Sequence, residues 1–219
     1  MSISNFIINL INNRRDRIKK KYPGSLGAFF KDGGNDLIYK KLNLNPNSIV
    51  IDGGGFEGEF IDNVLINYGC KIESFEPLQK EFDKLKKKYF SNDRVEISNL
   101  AIFSETKELY LNQEGISSSI VNSNLGKNTT KINAVDIVEI IKNRKNIDLL
   151  KLNVEGAEYE IMNRIIDTEN LETFNSYLIQ YHKSVKQSSK LRDKIRNQLL
   201  NKNYKEIFNY DFVWEYWRK

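Results

Sequence analysis

The sequence predicts an α/β protein: a doubly wound, mostly parallel sheet with an N-terminal helical extension. Three observations point there. From residue 48 onward short apolar runs alternate with amphipathic helical stretches, the pattern of strand–helix–strand units. The first run ends in Gly53-Gly54-Gly55, a glycine loop between a strand and a helix. Before residue 48 the apolar period is helical instead.

Ile3, Phe6, Ile7, Leu10, Ile11 and Ile18 recur at helical spacings, and Pro23-Gly24 stops that helix. A weaker helical stretch with Phe29, Phe30, Leu37 and Tyr39 leads to the Asn45-Pro46-Asn47 turn. Residues 1–46 are therefore read as a helical extension available as a lid, and 47–219 as the main domain. Residues 48–52 form the first strand. Phe60, Ile61, Val64 and Leu65 face inward from the helix that follows, and Gly69 ends it. A second strand covers 72–75. Pro77 stands at the start of a helix carrying Leu78, Phe82 and Leu85 on one face. Residues 95–102 read as a single third strand, 107–111 as an added hairpin strand, and 113–130 as a polar loop. Asp136 caps a helix that runs to Ile141. The fourth core strand spans 147–152, a helix 158–166, the fifth strand 177–181 and a helix 190–200. The last two strands lie within 204–216. In such sheets ligands bind beyond the carboxyl ends of the strands.

Composition removes several classes of function. Of 219 residues 40% are hydrophobic, enough for a sizeable core. One cysteine, Cys70, cannot form an internal disulfide, and with one histidine, His182, it cannot build a Cys/His zinc site. No apolar run approaches the roughly 18 residues of a membrane span, and no signal-peptide core is visible, so a cytoplasmic protein is expected. The net charge of +5 is local. Residues 1–22 hold Arg14, Arg15, Arg17, Lys19, Lys20 and Lys21 against Asp16; the rest has 28 basic and 28 acidic residues. A nucleic-acid partner is not expected, because the basic excess is confined to one segment. That segment's apolar stripe must be buried against the domain, a twin subunit or a membrane surface, so a homo-oligomer is allowed for.

Residues 53–58, Gly-Gly-Gly-Phe-Glu-Gly, satisfy G-x-G-x-x-G. The loop fits a dinucleotide or S-adenosylmethionine, since both need close backbone approach. Asp52 helps to separate them: a carboxylate there repels a pyrophosphate and favours a sulfonium or ammonium. Glu76 ends the second strand, where an acid can accept both ribose hydroxyls. His182, just past the fifth strand, is the one side chain whose ordinary pKa lies near neutrality, which makes it the candidate base. Glu155 can orient an acceptor or act as base; Glu158 can serve the chemistry or a helix N-terminus. Lys151, inside a strand, is expected to pair with an acid. Asn-Pro-Pro-Tyr, a Pro-Cys nucleophile, His-Glu-x-x-His and a P-loop are all absent.

Residues 49–58, Phe75-Glu76-Pro77 and the Lys151-Leu152-Asn153-Val154-Glu155-Gly156-Ala157-Glu158 block resemble the FkbM family of S-adenosylmethionine-dependent methyltransferases. Asn99 to Ile102, Ser117 to Ser119, Ala134 to Asp136 and Gln180-Tyr181-His182 resemble its weaker landmarks. The resemblance covers roughly 48–183. It implies a Rossmann-like fold of the class I methyltransferase type, S-adenosylmethionine as cofactor, and O-methylation, commonly of sugar hydroxyls. The cofactor would be held by Asp52, Gly53, Gly54, Gly55, Phe56, Gly58, Glu76, Pro77, Ala101 and Asn153, and catalysis would fall to His182, Glu155 and Glu158. The family usually has Asp where Asn153 stands and Glu where Gln180 stands, so no metal is expected. The acceptor is expected to be a small molecule or glycan, anionic ones included, because the basic segment could steer negative charge. A nicotinamide-dependent oxidoreductase and an inactive cofactor-binding scaffold are the alternatives.

Overall fold

The computed structural model describes residues 25–114, 117–121 and 129–219. The basic helix read at 1–22, with Arg14, Arg15, Arg17 and Lys19 to Lys21, lies outside them. In chain order the elements are α1 (Ser25–Lys31), α2 (Asn35–Lys41), β1 (Ile49–Gly53), α3 (Glu59–Tyr68), β2 (Lys71–Phe75), α4 (Gln79–Lys88), β3 (Val95–Ser98) and β4 (Ala101–Phe103). They continue with β5 (Lys107–Glu114), β6 (Ser117–Val121), β7 (Thr129–Asp136), α5 (Ile137–Ile141), β8 (Leu149–Leu152) and α6 (Glu158–Asp167). The last are β9 (Ser176–Ile179), α7 (Ser188–Asn201), β10 (Lys205–Tyr210) and β11 (Trp214–Arg218).

The central sheet has the order β10-β11-β9-β8-β1-β2-β3. Five strands, β3 through β9 in that order, are parallel, and β11 and β10 close the edge as an antiparallel pair. The doubly wound reading holds: the chain proceeds outward from β1 to β3, then returns to the other side of β1 with β8. Successive strand residues point to opposite faces, and helices cover both, so apolar residues of the inner strands pack on either side of the sheet. Val50, Ile72, Leu149 and Leu178 pack with Ile38 of α2, Ile61 and Val64 of α3 and Leu85 of α4. Ile51, Leu150, Leu152 and Ile179 pack with Tyr159 and Ile161 of α6 and Ile195 of α7. The Phe29 ring of α1 meets Tyr210 of β10 edge-on at 5.3 Å, which ties the start of the described chain to the sheet. Among the described residues no helix is long and apolar enough to cross a membrane.

Two local expectations fail. The single strand read over 95–102 is two strands in two sheets. Asn99 breaks it, its Nδ2 donating to the Glu76 and Pro77 carbonyls at 3.0 and 3.1 Å, and β4 leaves to pair with β7. The polar loop read over 113–130 contains β6 and the start of β7. These strands form a second sheet of order β4-β7-β5-β6. In β7 Ile132, Ala134 and Asp136 are buried, and they alternate with the exposed Lys131 and Asn133 and the half-buried Val135. Pro77 lies just before α4, with Leu78 as its N-cap. Asp136 does cap α5, accepting from the Val138 amide at 2.9 Å.

Candidate functional site

The site forms at the carboxyl ends of β1, β2, β8 and β9. After β1 the glycine loop turns back against β2, and the Gly54 and Gly55 amides both donate to the Phe75 carbonyl, at 3.0 and 3.3 Å. Gly54 has φ +87°, and a Cβ there would stand 2.2 Å from the Asn153 carbonyl oxygen. Glycine is therefore needed by the close approach of the β1 and β8 loops, whatever ligand they hold. Gly53 packs against Leu152 and Val154, and Gly58 against Tyr89 and Leu85. Phe56 follows with φ 46°, a left-handed conformation that a bulky side chain adopts at a cost, and its ring is more than half exposed.

Glu76 joins two loops. Its Oε2 accepts from the Phe56 amide and its Oε1 from the Leu78 amide, each at 2.9 Å. Burial raises its pKa, and the two amide bonds work against that rise. Asp52 lies deeper, fully buried. Ser74 Oγ donates to its Oδ2 at 2.8 Å, and Lys151 Nζ pairs with its Oδ1 at 2.8 Å. Lys151 thus pairs with an acid as expected. That pairing neutralises Asp52, so the carboxylate expected to confront a ligand's charge serves instead to fix β1 against β8.

Past β8 and β9, Glu155, His182 and Glu158 form one cluster. His182 Nε2 stands 3.3 Å from Glu155 Oε2, and Nδ1 stands 3.1 Å from Glu158 Oε1. Glu158 also accepts from the His182 amide at 2.7 Å and the Gly156 amide at 2.8 Å. Burial of His182 disfavours its charge, but the two carboxylates outweigh burial and raise its pKa to about 9. At neutral pH His182 is an imidazolium donating from both ring nitrogens, which leaves it no lone pair to act as a base. Glu158 is buried and fully bonded, so it positions His182 and the loop rather than facing a ligand. Glu155, at φ 52°, is the member on the cavity wall.

A cavity of about 320 Å³ lies between the two sheets. Of the residues predicted to bind cofactor, Gly54, Phe56, Glu76, Pro77, Ala101 and Asn153 line it. Sequence reasoning missed its apolar walls: Phe75, Leu78, Ile102, Leu111, Ile132 and Val154. The alternation of Ile132 and Ala134 was the available signal. Gly55 lines a neighbouring cavity, while Asp52, Gly53 and Gly58 line neither.

Residues 51–206 match the profile of the methyltransferase FkbM domain. The chain belongs to the FkbM methyltransferase family. A search of curated proteins returned no match. Among solved structures, a candidate rRNA methylase from Clostridium thermocellum shares 10% identity, with a TM-score of 0.54 over 90% of this chain and 97% of the other. That likeness shows a shared fold. The fibrillarin/Nop5p complex gives 0.49 at 12% identity, over 89% and 79% of the two chains. M. capricolum TrmK with bound S-adenosyl-homocysteine gives 0.43 at 12%, over 84% and 65%. The family match sets the oxidoreductase alternative aside.

The cofactor of this FkbM methyltransferase is S-adenosylmethionine, and the residues present suit it. The apolar walls offer a slot for a flat base, and the Glu76 carboxylate offers an acceptor for ribose hydroxyls. Asn153 Oδ1 is buried without a hydrogen-bond partner, an acceptor that a ligand N–H would satisfy.

Proposed function

We propose that this FkbM methyltransferase methylates a hydroxyl oxygen, on a sugar of a glycan, a nucleotide sugar or a glycosylated metabolite. One observation carries this reading: Glu155 stands on the wall of the cofactor cavity and is backed by His182. Bound S-adenosylmethionine supplies a methyl group on a sulfonium, an electrophile strong enough to need no metal. A hydroxyl attacking it must lose its proton. In the cluster the His182 ring lies between the Glu155 and Glu158 carboxyl groups, and of these two Glu155 is the one on the cavity wall. Glu155 accepts that proton; His182 holds the Glu155 carboxylate in place, and Glu158 holds His182. The role first read for His182 thus passes to Glu155.

The test is a screen for methyl transfer from labelled S-adenosylmethionine over nucleotide sugars and glycans, with the product placed by mass spectrometry. A methyl ether is expected, and Glu155→Gln should lower kcat by roughly 100-fold or more without changing affinity for S-adenosylhomocysteine. Methyl transfer to nitrogen or carbon would sink the reading. Cofactor binding without turnover on any acceptor would point to a scaffold.

A further inference from the structure

His182 is gripped at four points. Its amide donates to Glu158 Oε1 at 2.7 Å, and its carbonyl accepts from Tyr159 Oη at 2.9 Å. Of its ring nitrogens, Nδ1 stands 3.1 Å from the same Glu158 oxygen, and Nε2 stands 3.3 Å from Glu155 Oε2. Three of these four contacts come from two consecutive residues in the first turn of α6. Consecutive helical residues point about 100° apart, so such a pair can take hold of a residue's N–H and its C=O from two directions.

Tyr159 is placed to hold that carbonyl. It is buried, and its ring lies against Tyr181 with centroids 5.2 Å apart. Burial first, and the Glu158 charge second, raise its pKa, so in the neutral range the phenol keeps its proton and donates. The loop beyond His182 leans on the loop before α6. Gly156 has φ +111°, and a Cβ there would stand 3.0 Å from Val185 Cγ2. The Gly156 amide donates to the other Glu158 oxygen at 2.8 Å. The first turn of α6 thus sets the loop after β8, which carries Glu155, against the loop after β9, which carries His182.

We propose that Tyr159 is a positioning residue of this site: by fixing the His182 carbonyl it completes a clamp that aims Nε2 at Glu155 and so holds the Glu155 carboxylate on the cavity wall. The proposal rests on the reading of Glu155 as proton acceptor. Tyr159 takes no proton itself and acts through His182. Without its hydroxyl, Glu158 still binds the His182 amide and Nδ1, but the carbonyl side is free to turn and the ring swings with it. Nε2 then leaves Glu155, while the walls of the cofactor cavity stay in place.

The test follows the ring protons of the one histidine by NMR in the full chain, in four proteins: the parent, Glu155→Gln, Tyr159→Phe and the double variant. In the parent background, Glu155→Gln should lower the His182 midpoint by roughly one pH unit, the effect of losing an adjacent opposite charge. Tyr159→Phe, which keeps the buried ring, should lower it by a similar amount. Adding Glu155→Gln to Tyr159→Phe should then lower it by less than half as much as in the parent, the non-additivity of residues that act through one another. S-adenosylhomocysteine affinity in Tyr159→Phe should stay within twofold by calorimetry. A tyrosine that only packs would change the melting temperature and leave the effect of Glu155→Gln the same in both backgrounds, which overturns the proposal. An unmoved midpoint in Glu155→Gln alone also overturns it, and that variant leaves Tyr159 and its packing untouched. So does a tenfold loss of S-adenosylhomocysteine affinity in Tyr159→Phe, because Tyr159 would then act on the cofactor cavity. Methyl transfer plays no part in these measurements. Non-additivity in a protein whose Glu155→Gln variant keeps full turnover would leave the clamp standing and sink Glu155 as the base instead.

Discussion

Glu76 binds the Phe56 and Leu78 amides with one oxygen each, so both oxygens must remain acceptors. Glu76→Gln turns one of them into an NH2 group that faces a backbone N–H, and it also removes the charge offered to ribose. A hydrogen bond to a charged group is worth about 1.5–3 kcal/mol. S-adenosylhomocysteine affinity in the variant should therefore fall roughly 10- to 150-fold by calorimetry, and unchanged affinity would remove Glu76 from the site. His182 offers a cleaner measurement, because the chain has one histidine and its ring protons give one assignable set of NMR signals. They should titrate near pH 9 instead of 6.5. Since the folded pKa is the higher, the stabilisation from this charge is complete below about 6.5 and is lost as pH rises through about 9. A midpoint near 6.5 would mean that Glu155 and Glu158 do not hold the ring. The sequence could place Glu155, Glu158 and His182 at strand ends. It could not show that His182 lies between two carboxylates, because the contact joins segments 24 and more residues apart.

At the scale of elements, β1 and β8 are locked by a buried charge pair in register, Asp52 opposite Lys151. Removing one partner of such a pair costs about 3–5 kcal/mol, because the other stays buried and unpaired. Lys151→Met should lower unfolding stability in denaturant by that amount, and adding Asp52→Asn should restore a large part of it. Equal loss in the single and double variants would show that the pair is not coupled. The strands themselves were readable wherever apolar runs stood alone, as in β1, β2 and β8. Asp52 was read correctly as the last acid of a strand. Its partner is 99 residues away and becomes visible only when β1 and β8 are known to be neighbours. The second sheet escaped for a different reason. Thr129, Thr130, Lys131 and Asn133 dilute β7, so its inward residues are too few to mark a strand. One side chain, Asn99, ended the run over 95–102 through bonds to a loop 22 and 23 residues earlier, which no local pattern reports.

At the scale of the molecule, the cofactor cavity is a joint between two sheets. Glu76 and Asn153 come from the central sheet's strand ends, Ala101 and Ile102 from β4, Leu111 from β5 and Ile132 from β7. A ligand seated there stabilises both layers, since it binds the folded chain and not the unfolded one. At 100 times its Kd, S-adenosylhomocysteine should add about 2.7 kcal/mol. For a chain of 219 residues each kcal/mol is worth roughly 2–4 °C, so the melting temperature should rise by roughly 5–10 °C. Hydrogen exchange should slow in residues 54–58 and also in 101–103, 107–111 and 132–135, across both sheets. The β10–β11 edge pair, which lines no part of this cavity apart from the neighbouring one at Trp214, should be unaffected by the cofactor product alone. Protection confined to the glycine loop would mean that the second sheet packs beside the site without closing it. Protection that reached Trp214 would mean that the cofactor passes Phe56 and Asn153, which line both cavities, and occupies the neighbouring one too.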